Sequence, residues 1–310
     1  MIKQIPTRDK THIGVRICGC GKPVVLLHGF GMESRHWLPF LLPLTGKYQF
    51  ILPDFRGFGH SAGIKINNSC VLTNYCEDLE DVLDYFQLDQ VALGGMSMGA
   101  FVSFLYLLKK KSDRIQKFLC IDQSPSFKNT DQYKFGMGLE NHEQWMADFR
   151  NVLSLLSQYQ FENDFLALPY DERCYAMMKF SRFASASFHS TTLQLTIQAL
   201  MRMPLIQNFF VPSSWQACYA ILNAYMNNDY NFIDQVHKID VKTTIFVGLL
   251  SQMYPAESSV FLSKQIKDSE LIAFEKSGHV VMMNEPFKFL RELNRFLSDN
   301  PDSFEERKIA

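Results

Sequence analysis

Along the first 126 residues, short apolar runs closed by turn residues alternate with longer stretches whose apolar positions recur every three or four residues. The first pattern is that of buried strands and the second that of helices packed on a sheet. Residues 12–18 read as an outer strand, and residues 23–27 as a buried strand ending at His28-Gly29. Residues 50–52 form the next strand, closed by Pro53-Asp54, and 91–93 and 117–121 read as two more. Between them lie three predicted helices. Residues 33–45 carry Trp37, Phe40, Leu41 and Leu44 at helical spacing. Residues 68–86 carry Val71, Leu72, Tyr75, Leu79, Val82, Leu83 and Phe86 on one stripe, and residues 98–108 complete the set. Such alternation specifies an α/β fold with a mostly parallel sheet covered on both faces.

From Phe127 to about Lys238 the period is helical and the composition aromatic. Trp145, Phe149, Val152, Leu153 and Leu156 share one face; Trp215, Cys218, Tyr219, Leu222 and Met226 share another, after a capping signal at Ser213-Ser214. The alternation then returns: a strand over 243–247, a helix over 256–266, a strand over 270–274 and a last helix over 285–297. The expected organisation is a core made of residues 1–126 and 239–310, with residues 127–238 inserted as a helical cap.

Charge adds exclusions. Thirty-one Lys and Arg against thirty-two Asp and Glu give a net charge of −1, so no basic field exists to gather the phosphates of a nucleic acid. Seven cysteines make no disulfide framework, and Cys18 and Cys20 lack zinc-site spacing. Reduced thiols and an opening stretch without an apolar signal-peptide core fit a cytoplasmic protein. Residues 91–108 contain no charge and reach the length of a membrane span, but Gly94-Gly95 interrupts them early, and a strand followed by a helix accounts for them. Lys109, Lys110 and Lys111 then complement the C-terminal end of that helix.

Three segments carry chemistry. Gly95-Met96-Ser97-Met98-Gly99 matches G-x-S-x-G between a strand and a helix. Such a turn projects the Ser97 hydroxyl at the carboxyl edge of the sheet, while glycines two positions either side avoid a collision as strand and helix approach. His28-Gly29-Phe30-Gly31 follows a strand, and its glycines allow the Phe30 N–H to face Ser97. With the Met98 N–H at the helix start it would form an oxyanion hole. His28 itself is read as structural. Ser277-Gly278-His279 follows the last strand and supplies a candidate base.

Together with Asp54-Phe-Arg-Gly-Phe-Gly-His-Ser61, these segments resemble the α/β-hydrolase superfamily, in its esterase, lactonase and C–C hydrolase branch. The likeness spans the chain outside the cap. It implies that Ser97 is the nucleophile and His279 the base. It also implies that the Asp54 segment is a structural turn beside the oxyanion loop, which keeps Asp54 and Arg56 off the catalytic set. Members that use Asp as nucleophile, dehalogenases and epoxide hydrolases, are disfavoured by Ser97.

One departure from the pattern stands out. Many relatives place the acid in G-x-x-D-x-x-x-P after the strand at 243–247, and here Ser251 occupies that position within Gly248 to Pro255. Replacing a triad acid by a neutral residue costs about 10⁴ in turnover. Asp122, at the end of the neighbouring strand, is the leading substitute, since some members of the superfamily draw their acid from there. Glu257 and Glu275 are weaker candidates, and a turn-forming role for Asp122 ahead of Pro125 stays open.

The expectation is a serine hydrolase that cleaves a small or medium apolar acyl substrate, carboxylesterase-like, needing no cofactor or metal. Ser97, His279 and Asp122 are the candidate catalytic residues and Phe30 and Met98 the oxyanion donors. Met177, Met178, Met201 and Met203 suggest an adaptable apolar pocket in the cap. Lactonase, thioesterase and C–C hydrolase activities remain alternatives. So does a ligand-binding protein on a hydrolase scaffold, which the serine at position 251 motivates.

Overall fold

The computed structural model describes residues 1–298 apart from 65, 67–69, 110–111, 159–167, 189, 202, 204–214 and 228–229. The capping signal at Ser213-Ser214 lies outside the described residues. Eight strands form one sheet in the order β1-β2-β4-β3-β5-β6-β7-β8. They are β1 Ile2–Pro6, β2 His12–Gly19, β3 Lys22–Leu27, β4 Tyr48–Pro53, β5 Val91–Met96, β6 Ile115–Ile121, β7 Lys242–Gly248 and β8 Ser269–Phe274. β1 and β2 pair antiparallel with each other and β2 antiparallel with β4; every pairing from β4 onward is parallel.

The sheet is coated on both faces because its strands alternate their apolar side chains between two cores. Along β3, Val25 and Leu27 join the cluster built with α2 (Val71–Tyr85) and α3 (Met98–Lys109). Val24 and Leu26 join the opposite cluster, where Trp37, Phe289 and Leu293 seal the other face. Phe289 and Leu293 belong to α10 (Pro286–Leu297), which follows a single helical turn, α9 (Val281–Asn284). Helix α8 (Ala256–Gln265) lies between β7 and β8 in the chain.

Two expectations need correction. The helix predicted over 33–45 is broken into short turns: 3₁₀ Ser34–Trp37, α1 Leu38–Leu41 and 3₁₀ Leu42–Leu44. Pro39 and Pro43 remove the amide donors that a continuous helix requires, although Trp37, Leu41 and Leu44 are buried as the spacing implied. Strand β1 was not expected from the sequence. Only Ile5 of its residues is buried, so the apolar signal is one residue long, and tertiary pairing with β2 makes the strand.

Between β6 and β7 the described segment is helical: α4 (His142–Leu156), α5 (Tyr170–Ser185), α6 (Thr191–Met201) and α7 (Trp215–Asn227). Phe149, Val152, Leu153 and Leu156 of α4, and Trp215, Cys218 and Leu222 of α7, are buried. Phe127 stacks on Tyr225 of α7 at 4.4 Å between ring centres, and Phe101 of α3 meets Tyr225 edge-on, so these helices pack directly on the sheet-bound layer. Among the described residues no helix is long and apolar enough to cross a membrane.

Candidate active site

The carboxyl ends of β3, β5, β6 and β7, and the loop after β8, lie along one edge of the sheet, where parallel strands direct their following loops. β5 is central, flanked by β3 and β6. Directly after it, Ser97 takes φ +50°, a left-handed conformation that L side chains rarely adopt. Its N–H donates to Ile121 O at 3.0 Å, extending the β5–β6 ladder, and its carbonyl accepts from Phe101 N–H at 3.0 Å, starting α3. A single residue therefore converts strand into helix, which is why strain concentrates on it.

The neighbouring glycines are sterically required. A Cβ on Gly95 would lie 2.4 Å from Gly99 C and Ala100 N, and one on Gly99 would lie 2.4 Å from Leu27 O. The first contact is the strand-to-helix collision anticipated from the motif. The second is with β3 next door, a constraint that sequence spacing does not reveal.

After β3, His28-Gly29-Phe30-Gly31 turns beside Ser97; a Cβ on Gly29 would stand 3.5 Å from Ser97 Cβ. His28 is fully buried. Its Nδ1 donates to Gly29 O at 2.8 Å and its Nε2 accepts Phe55 N–H at 3.0 Å, so the ring staples two loops together. Burial pushes the His28 imidazole down to about 4, so it is neutral near pH 7. The Asp54 carboxylate accepts the Ser34 and His60 amides. Arg56 forms a bidentate pair with buried Asp78 at 2.6 and 2.7 Å. Asp54 thus ties its segment to Ser34, while Arg56 ties it to Asp78 of α2.

Asp122 follows β6 directly in a left-handed conformation, φ +46°, and is 1% exposed. Its N–H donates to Phe246 O of β7 at 2.8 Å. His279 Nδ1 lies 2.6 Å from Asp122 Oδ2, the hydrogen-bond geometry of an oriented imidazole. Ser251 Oγ donates to the same Oδ2 at 2.7 Å, and Gly248 N–H to Oδ1 at 3.1 Å. The turn-forming reading of Asp122 accounts for none of these side-chain contacts. Glu275 is instead exposed and paired with Lys288 at 2.6 Å.

The loop carrying His279 is anchored from behind. Glu285 Oε2 accepts Ser277 Oγ–H at 2.7 Å and Lys276 N–H at 2.9 Å, and Asn284 Oδ1 accepts Gly278 N–H at 3.2 Å. The backbone of this loop presses on the end of β7, where a Cβ on Gly248 would lie 2.1 Å from Gly278 O. Nothing in the local sequence marked Glu285 or Asn284 as supports, because their partners lie across a turn.

Ser97 and His279 both line a cavity of about 620 Å³ that opens to solvent. Ser97 stays partly exposed between buried neighbours. The oxyanion candidate Phe30 also lines the cavity, and Met98, the first residue of α3, follows Ser97 directly. The opposite wall comes from the helices between β6 and β7, including Met177, Phe180 and Phe183 of α5 and Trp215 of α7. Phe183 meets the Phe30 ring edge-on at 5.7 Å. The expected methionine set is corrected here. Met177 lines the cavity, whereas Met178 does not and Met203 is half exposed; Met201 ends α6, and its side chain is outside the description. The other cavity methionines, such as Met32, Met96 and Met283, come from the sheet side. Cys218 faces the same space, but burial pushes its thiol far up, so it stays protonated.

A family model described as alpha/beta hydrolase fold matches residues 22–286. Pimeloyl-[acyl-carrier protein] methyl ester esterase of Vibrio atlanticus is 25% identical over 283 residues, covering 90% of this chain and 96% of its own. The 2-hydroxy-6-oxo-2,4-heptadienoate hydrolase of Pseudomonas putida is 24% identical over 287 residues, covering 90% of each. Among solved structures, the esterase EaEST of Exiguobacterium antarcticum superposes with a TM-score of 0.74 at 25% identity, over 96% of this chain and 99% of that one.

Proposed function

The chain belongs to the α/β-hydrolase fold family, and from that premise we propose that it is a serine hydrolase acting on small or medium apolar acyl esters. One observation carries the reading. The strained Ser97 shares a cavity with His279, whose Nδ1 is held at 2.6 Å by the buried Asp122. With Nδ1–H given to the carboxylate, Nε2 is the nitrogen left to take the Ser97 proton.

The steps follow from this arrangement. Ser97 Oγ attacks the substrate carbonyl while His279 Nε2 accepts its proton, and Asp122 stabilises the imidazolium that forms. The Phe30 and Met98 amides receive the tetrahedral oxyanion, the second with the help of the α3 N-terminus. His279 returns the proton to the departing alcohol, leaving an acyl group on Ser97. A water deprotonated by His279 then attacks the acyl carbon, and collapse releases the acid and regenerates Ser97.

Residues 127–238 are read as a cap, from which Phe180, Phe183, Phe188 and Trp215 line an apolar acyl site beside Ser97. The esterase relatives support ester cleavage, and the 2-hydroxy-6-oxo-2,4-heptadienoate hydrolase relative keeps other hydrolase substrates in play. An apolar acyl group is favoured because Phe and Met side chains make up about half of the cavity lining outside Ser97 and His279, with Arg35, His36 and Ser187 among the rest.

The test is fluorophosphonate labelling together with hydrolysis of a short-chain chromogenic ester by wild type and Ser97→Ala. Labelling of wild type alone, with loss of turnover in the variant, is expected. Full labelling of wild type with no ester turned over would favour a ligand-binding protein on this scaffold. Activity unaffected by Ser97→Ala would overturn the assignment.

A further inference from the structure

Ser251 stands where the acid of many superfamily members is expected, yet it is buried and lies outside the cavity lining. Its Oγ–H points at Asp122 Oδ2, 2.7 Å away, and its own N–H closes a turn onto Gly248 O at 3.1 Å. We propose that Ser251 is a positioning residue that sets the plane of the Asp122 carboxylate so that Oδ2 faces His279. The inference rests on the triad reading of Ser97, His279 and Asp122 given above.

The physical case begins with the torsion that needs fixing. The carboxylate of an aspartate rotates about a broad sp³–sp² bond, so its plane is set by contacts and not by rotamer preference. Gly248 N–H holds Oδ1, and the donor that Oδ2 has besides Ser251 is His279, the very group that the carboxylate must orient. A donor on Oδ2 independent of His279 restricts the rotation, and Ser251 is that donor. His279 then meets an oxygen already held in place.

Chemistry also explains why the residue is a serine. An alanine would leave a buried carboxylate lone pair without its hydroxyl partner, which is costly for a charged group. An aspartate would place a second carboxylate within hydrogen-bond distance of the first. Two such groups do not both stay ionised, so one would hold a proton in place of the fixed acceptor that His279 uses. A hydroxyl is compact, neutral and a donor. The serine at the vacated acid position thus complements an acid displaced by one strand, from the end of β7 to the end of β6, and is no sign of a disabled site.

The experiment measures kcat and KM on a fluorogenic short-chain ester for wild type, Ser251→Ala, Ser251→Thr, Asp122→Asn and the Ser251→Ala/Asp122→Asn pair, with Ser97→Ala as the blank. Ser251→Ala is expected to lower kcat about tenfold with KM within about twofold, because the hydroxyl acts on the base and not on substrate binding. Ser251→Thr, which keeps the hydroxyl, is expected to retain at least about half of the wild-type kcat. On the Asp122→Asn background, Ser251→Ala is expected to cost less than about twofold, since the carboxylate it positions is gone. A packing role would instead reduce activity by the same factor on both backgrounds. That equality, or a Ser251→Ala kcat within twofold of wild type, overturns the proposal while leaving the triad standing. Activity that survives Ser97→Ala removes the triad reading itself, and with it any role for Ser251.

Discussion

At the scale of single residues, Ser97 and Asp122 of the candidate site share a left-handed backbone conformation. Both follow immediately on the last residue of a buried strand, and both use their backbone to continue the ladder while their side chains leave it. Asp122→Asn preserves shape but replaces a charged acceptor with an amide that can favour the wrong imidazole tautomer. Turnover is expected to fall by about three to four decades with little change in melting temperature. Steady-state kinetics beside a thermal melt checks this, and a loss under tenfold removes Asp122 from the role. His28 supplies a second prediction. Below its ordinary value of 6.5 the unfolded chain binds a proton at His28 that the folded chain refuses until about 4. Stability therefore falls as pH drops through that window, by at most about 3 kcal/mol from this group. Urea titrations at several pH values should show a shallower dependence for His28→Asn than for wild type. The motif residues were legible because strand-to-helix turns and glycine loops need particular residue types in consecutive positions. The pairing of Asp122 with His279 was open in the sequence, since 157 positions separate them.

At the scale of elements, glycines distinguish steric necessity from habit. Gly99 sits where a Cβ would strike backbone atoms of β3, whereas a Cβ on Gly46 would meet nothing within 4 Å. Gly99→Ala is expected to lower stability by roughly 1–3 kcal/mol or more, because backbone on the adjacent strand cannot step aside. Gly46→Ala is expected to stay within about 0.5 kcal/mol. Paired thermal or denaturant melts decide it, and equal stability of the two variants would contradict the packing argument. Long apolar stripes identified α2 and α4 because each helix buries one face, whereas α7 is buried most of the way round. The failures were of another kind. Pro39 and Pro43 break a segment whose apolar spacing is helical, and β1 exists through its ladder with β2 more than through its single buried isoleucine. Periodicity reports which side chains will be buried; it is silent on whether the backbone between them can keep its hydrogen bonds.

At the scale of the whole molecule, helices that follow β6 in the chain form one wall of a cavity whose other wall is the carboxyl edge of the sheet. Apolar walls of this size should reward longer acyl chains. On p-nitrophenyl esters, kcat/KM is expected to rise by up to about fourfold per added methylene from acetate to about hexanoate, following the transfer free energy of a buried CH₂. A series that is flat or falls with chain length would sink the apolar acyl site. The sequence by itself determined the alternation of strand and helix, the two faces of the sheet, the turn at Ser97 and the glycine loop at Phe30. Each of these is written in neighbouring residues through sterics and burial. Only the tertiary structure decided that Asp122 meets His279 while Glu275 pairs with Lys288, that sheet-side methionines line the cavity, and that Glu285 anchors the histidine loop. Those contacts depend on which strand ends become neighbours, and strand order is set by long-range pairing that no local pattern encodes.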